Sequence, residues 1–152
     1  MKYLSYSVVF QEVPNEVTVG INITNCPNRC KGCHSAILQQ DIGSELNEYM
    51  LMNVILEKYK NDVVTCVCFF GGDGEPERVN ELAGYLKRNT GYKVAWYSGN
   101  ATLSDKVDVN NFDYIKLGHY DADKGALTSE TTNQRFYVVE NGKLVDKTEL
   151  FR

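Results

Sequence analysis

Cys26, Cys30 and Cys33 share one short loop, spaced C-x3-C-x2-C within TNCPNRCKGCHSA, directly after the β-branched run VTVGINIT at 17–24. Any fold for this chain must end a strand where these thiols meet and leave space there for what they bind. The chain has five cysteines, an odd number, and this crowding does not read as a disulfide framework. In a reducing compartment it points to metal or catalysis instead. A structural zinc takes four protein ligands, and a catalytic zinc takes three plus water. A [4Fe–4S] cluster ordinarily takes four cysteines, so three leave one iron open to another ligand. A fourth zinc ligand would have to come from His119, Cys66 or Cys68. His34 adjoins Cys33 and is poorly placed to reach the same ion. The same distant cysteines would close a ferredoxin-like cluster. Cys66 and Cys68 alternate with Val64 and Phe70 in an apolar run, where free cysteine behaves as a small hydrophobe. Core packing is their expected role.

The rest of the chain alternates apolar runs with one-sided helical patterns. Strands are expected at 17–24, at 63–70 (VVTCVCFF), at 92–98, at 113–117 and at 135–140. The unbroken apolar run at 63–70 suits a strand buried on both faces of a parallel sheet. A helix is expected over 44–60, capped by Ser44, with Leu51, Val54, Ile55 and Tyr59 on one stripe. A second helix opens at Pro76, buries Val79, Leu82, Ala83 and Leu86, and stops at Gly91. A short helix is expected within 103–111. This order predicts a single α/β domain over 1–152 with a parallel sheet. The strands are too few for an eight-stranded barrel, which leaves an open, partial (β/α) barrel. In parallel sheets ligands collect beyond the carboxyl ends of the strands. The cysteine loop, GGD (71–73), SGN (98–100) and LGHY (117–120) all fall there.

Composition narrows the partners. A net charge of −4 argues against nucleic acid, whose binders show a clustered basic face. No apolar run reaches the roughly 18 residues of a membrane span. The first residues, MKYLSYSVVFQEVPNE, lack the apolar core and cleavage site of a secretory signal. A cytoplasmic location is expected. GGDGEP (71–76) lacks the Gly-Lys-Ser/Thr ending of a P-loop and the third glycine of a dinucleotide fingerprint. By itself it reads as a turn into a helix.

The cysteine spacing after a first strand resembles the signature of the radical S-adenosylmethionine (SAM) enzymes. GGD resembles that superfamily's GGE motif, with Asp73 where glutamate is usual. Gly32 before the third cysteine, WYSG (96–99), TTNQRFY (131–137) and the short length narrow the resemblance to the anaerobic ribonucleoside-triphosphate reductase-activating proteins. The resemblance runs from YSVVFQEV to NQRF. It lacks the Gly-Pro-Gly found before the cysteines in many glycyl-radical activators.

The resemblance implies that Cys26, Cys30 and Cys33 bind a [4Fe–4S] cluster and that SAM chelates the open iron. It implies that Gly71, Gly72 and Asp73 hold the SAM amino group, with Glu75 the alternative carboxylate. Ser98 would touch the SAM carboxylate or ribose, or else cap the next turn. Lys116 would pair with a carboxylate or snorkel from the rim. His34 would pack near the adenine or lie exposed. Asn133, Gln134 and Arg135 would touch a partner or close the fold. The implied activity is formation of a glycyl radical on an anaerobic ribonucleoside-triphosphate reductase, with the electron from a flavodoxin-like carrier. Two alternatives stand beside it: a small radical SAM enzyme acting on a metabolite, similar to carboxydeazaguanine synthase, and a non-catalytic zinc or iron–sulfur module.

Overall fold

Burial of β4 (Cys66–Phe70) on both faces organises the structure. This computed structural model describes residues 1–33 and 35–152, so the expectation for His34 lies outside the described residues. Along β4, Val67 and Phe69 face one apolar core while Cys66 and Cys68 face another. The sheet has eight strands in the order β3-β1-β2-β4-β5-β6-β7-β8. Around β4 lie β1 (Lys2–Val9), β2 (Thr18–Ile23) and β3 (Ser44–Glu45) on one side. On the other side are β5 (Lys93–Tyr97), β6 (Tyr114–Leu117), β7 (Arg135–Glu140) and β8 (Lys143–Asp146).

The parallel sheet expected from the alternation holds only at the centre. Strands β2, β4, β5 and β6 pair in parallel, whereas β1, β3, β7 and β8 add antiparallel flanks. Nor does a helix follow each strand. The fold is therefore a mixed α/β sheet of mostly strands. No pairing between β3 and β8 closes it into a barrel among the described residues.

The helix α2 (Pro76–Asn89) matches its sequence pattern. Val79, Leu82, Ala83 and Leu86 are buried against the sheet, and Thr90 ends the helix through bonds to the Leu86 carbonyl. Each large side chain in that stripe contributes about 1.5–3 kcal/mol on burial. The segment 44–60 differs from expectation. Ser44 lies in β3, paired with Tyr3, and does not cap a helix. The cap is Asn47, whose side chain accepts the Met50 N–H at 2.9 Å. Helical residues then run through α1 (Glu48–Met50), a π turn (Leu51–Ile55) and a 3-10 turn (Leu56–Tyr59). The π winding bonds the Leu56 N–H to the Leu51 carbonyl. This aligns Leu51 with Leu56 as well as Ile55, so Val54 turns outward and is 39% exposed. In 103–111 only a 3-10 turn forms, at Val109–Asn111, because Asp108 takes the Asn110 N–H.

The pleat sorts side chains between the two faces of the sheet. Val19, Ile21, Ile23, Val94, Trp96, Ile115 and Leu117 join the core that carries α2. The opposite face carries a registered row that runs Ser5, Asn22, Phe70, Tyr97, Lys116, Phe136 from strand to strand. Gly20, in β2, makes room on this face: a Cβ there would meet the Phe70 ring at 2.3 Å.

Candidate metal centre

The cysteine loop leaves β2 through residues that anchor it at once. Thr24 is buried, and its hydroxyl donates to the Ile42 carbonyl at 2.7 Å. The Asn25 N–H reaches the Gln40 carbonyl at 3.1 Å and the Cys26 N–H reaches that of Leu38 at 3.0 Å. Cys30 and Cys33 are joined by a tight turn in which the Cys33 N–H donates to the Cys30 carbonyl at 3.2 Å. Gly32 takes a φ of +74° in that turn, a conformation that glycine adopts without steric cost. This accounts for the glycine before the third cysteine. The Cys33 sulfur accepts the Ser35 N–H at 3.4 Å.

All three thiols are partly exposed and line one cavity of about 400 Å³. That volume lies within the range of small-molecule sites, roughly 300–1,000 Å³. Gly71, Asp73, Gly99, Lys116, His119 and Gln134 share its wall. The cavity lies on the face of the registered row, at the carboxyl ends of the parallel strands. Cys66 and Cys68 are sealed in the second core and do not line it.

Asp73 knits the site together. One carboxylate oxygen accepts the Ser98 hydroxyl at 2.5 Å. The other accepts the Gly99 N–H at 2.7 Å and the Asn28 side-chain amide at 2.8 Å. It thereby ties the cysteine loop to the ends of β4 and β5. Glu75 instead faces the Met1 amino group at 3.2 Å and is not part of the cavity wall. Ser98 is only 1% exposed, its hydroxyl donating to Asp73 and accepting the Asn100 N–H. It organises the turn and does not line the cavity. Gly71 lines the cavity; Gly72 packs behind it, where a Cβ would meet Val79 at 2.4 Å. Asn133 donates to the His119 carbonyl, Gln134 accepts from Lys116, and Arg135 faces Asp146 at 3.9 Å. These residues brace the rim and the fold.

Burial holds the Cys26 thiol above its ordinary range, and Asp73 and the neighbouring thiols push the same way. Binding a metal there must release a proton. Burial lowers the Lys116 ammonium to about 8, opposed by Asp73 and by Cys68, Cys30 and Cys26. Burial also raises the Cys66 thiol to about 12 and holds Cys68 well above normal. Only thiolates alkylate readily. Because Cys26, Cys30 and Cys33 are partly exposed while Cys66 and Cys68 are buried, prolonged treatment of the folded, metal-free chain with iodoacetamide at pH about 8 is expected to modify the first three, Cys26 slowest, and to spare the other two. Mass spectrometry should count three adducts before denaturation and five after. Fast native labelling of Cys66 would contradict its burial.

A family model described as a 4Fe-4S single cluster domain matches residues 17–136, from the start of β2 into β7. The chain belongs to this 4Fe-4S single cluster domain family. No curated protein and no solved structure matches it. The side chains suit the family's cluster: soft thiol donors on the wall of a cavity large enough for more than one ion. Among the described residues, no three Cys, His, Asp or Glu side chains form a site for a single metal ion. Likewise, no helix among them is long and apolar enough to cross a membrane. From sequence, Asn28 carries no role of its own, Gly99 enters only within the SGN rim stretch, and Gln134 is assigned to a partner contact or to closing the fold, yet all three line the cavity. For two of them a signal existed: Asn28 lies inside the C-x3-C spacing, and Gly99 lies in the SGN stretch.

Proposed function

We propose that this cluster protein is a single-domain radical SAM activase over 1–152, acting in the cytoplasm on an anaerobic ribonucleoside-triphosphate reductase. The observation that carries the reading is the cavity, lined together by the three thiols and by Gly71 and Asp73. Cys26, Cys30 and Cys33 would hold the cluster. When bound, the cluster would supply the one electron for reductive cleavage of SAM to methionine and a 5′-deoxyadenosyl radical, and that radical would take a hydrogen atom from a glycine Cα of the reductase, leaving 5′-deoxyadenosine and a glycyl radical.

The chain's own residues bind and orient. Gly71, at a φ of +103°, brings bare backbone to the cavity where a SAM amino group can approach. Asp73 has already given its oxygens to Ser98, Gly99 and Asn28. It adds negative charge near that group while holding the two loops together. Phe70 and Tyr97, edge-to-face with ring centres 5.1 Å apart, line the cavity with apolar surface. A flavodoxin-like protein would supply the electron.

The decisive test is anaerobic reconstitution with iron and sulfide, reduction, and incubation with SAM and the reductase. The expected result is a brown protein, release of 5′-deoxyadenosine, and a glycyl radical signal in electron paramagnetic resonance. A cluster that cleaves SAM without that signal would favour a metabolite substrate. A colourless zinc protein without cleavage would overturn the reading.

A further inference from the structure

Lys116 is a buried cation aimed at the thiol-lined cavity. It is 8% exposed and follows Tyr97 in the registered row of the cavity face. Its ammonium donates to the Gly118 carbonyl at 2.8 Å and to the Gln134 side-chain oxygen at 3.1 Å, and lies 5.3 Å from the Tyr97 ring centre. These partners are all neutral. Burying a charge against neutral groups is costly. What offsets the cost is on the cavity wall: the Asp73 carboxylate favours the charged lysine, and Cys26 and Cys30, whose thiols turn anionic on binding a metal, line the same cavity. Glu12 and His119 also face the cavity.

We propose that Lys116 is a positioning residue whose ammonium acts as the fixed counter-charge of the bound cluster and raises its reduction potential. The inference rests on the cluster-binding reading above. One-electron reduction adds one negative charge to the cluster and its thiolates. A cation held nearby favours the more negative, reduced form, and a low-dielectric site strengthens the attraction. Cluster potentials are set by net charge, hydrogen bonds to sulfur and exposure, so a lysine held in place by Gly118 and Gln134 is such a control. Easier reduction would let a moderate biological donor fill the cluster.

The test compares the wild-type chain with Lys116→Met, Lys116→Arg and Gln134→Glu, each reconstituted with iron and sulfide. The cluster is titrated with dithionite, which supplies the electron, and followed by visible absorbance and electron paramagnetic resonance. Lys116→Met is expected to move the midpoint to a more negative potential. Gln134→Glu, which sets a carboxylate against the ammonium, should move it the same way, and Lys116→Arg should stay near wild type. An intact cluster with an unchanged midpoint in Lys116→Met would overturn the proposal. If that variant does not fold, an unchanged midpoint in Gln134→Glu overturns it alone. A lysine that served only structure would change the melting temperature and leave the midpoint where it was. A wild-type chain that takes up no iron or sulfide would overturn the cluster reading itself, and this proposal with it.

Discussion

Cys30→Ala is expected to give a folded protein that holds no cluster. Iron and sulfide should fall to background after reconstitution, the brown colour should vanish, and any SAM cleavage should fall by well over 100-fold. That loss exceeds the roughly 10–100-fold cost of changing the groups around a metal's ligands, because it removes a ligand itself. The fold should survive. Cys30 is partly exposed in a loop, and such a substitution shifts stability by no more than about 0.5 kcal/mol. Cys66→Ala is the matched control with the opposite pattern. It removes a fully buried sulfur from the second core, costs about 1 kcal/mol, and should leave the cluster in place. Iron retained by Cys30→Ala, or lost from Cys66→Ala, would break the assignment of the two cysteine groups.

That split between cysteines was legible in the sequence because the two groups sit in different chemistry. Cys26, Cys30 and Cys33 share a loop of Pro, Asn, Arg, Lys and Gly, which cannot pack as a core. Cys66 and Cys68 alternate within an apolar run, and both are buried. The central parallel strands and α2 were legible for the same reason, since both their faces or one clean stripe are apolar.

The flanks were not. β1 reads KYLSYSVV, with polar and apolar positions mixed, because on its outer side the short β3 covers only Lys2 and Tyr3, which leaves much of this antiparallel flank near solvent. β8 has a signal that pattern-counting over apolar runs misses. Asn141 and Gly142, both at positive φ, join it to β7 in a two-residue hairpin turn. The segment 44–60 shows a third limit. A strand of two residues and a helix that widens into a π turn leave the same apolar spacing as one ordinary helix.

In the site, the residue types were readable and their division of labour was not. Ser98 and Asp73 lie 25 positions apart. Nothing in either neighbourhood says that one hydroxyl and one carboxylate will bond to each other before any ligand arrives.

That bond makes Asp73→Ala the second substitution with a large expected effect. Removing the carboxylate leaves the buried Ser98 hydroxyl, the Gly99 N–H and the Asn28 amide without their acceptor. A buried polar group stranded in this way costs about 1–3 kcal/mol, and bonds to a charged acceptor are the stronger ones. With Gly99 and Asn28 partly reached by water, the sum should be about 2–4 kcal/mol. For a chain of this length each kcal/mol moves the melting temperature by about 2–4 °C, so a fall of about 5–15 °C is expected in calorimetry of the metal-free protein. Asp73→Asn should rescue only part of it. An amide oxygen can accept for Ser98, but its NH2 then meets the Gly99 and Asn28 donors head-on. Glu75→Ala should move the melting temperature by no more than about 2–4 °C, because the Glu75 side chain is 56% exposed and exposed pairs are worth at most about 1 kcal/mol. The same variants separate the two carboxylates as ligands for SAM, since affinity should drop with Asp73→Ala and hold with Glu75→Ala. Because Asn28 lies between Cys26 and Cys30, Asp73→Ala should also make the reconstituted cluster lose iron faster to a chelator. A melting temperature within about 2 °C of wild type would mean that the three donors find water at no cost. Asp73 would then be free to serve a ligand alone.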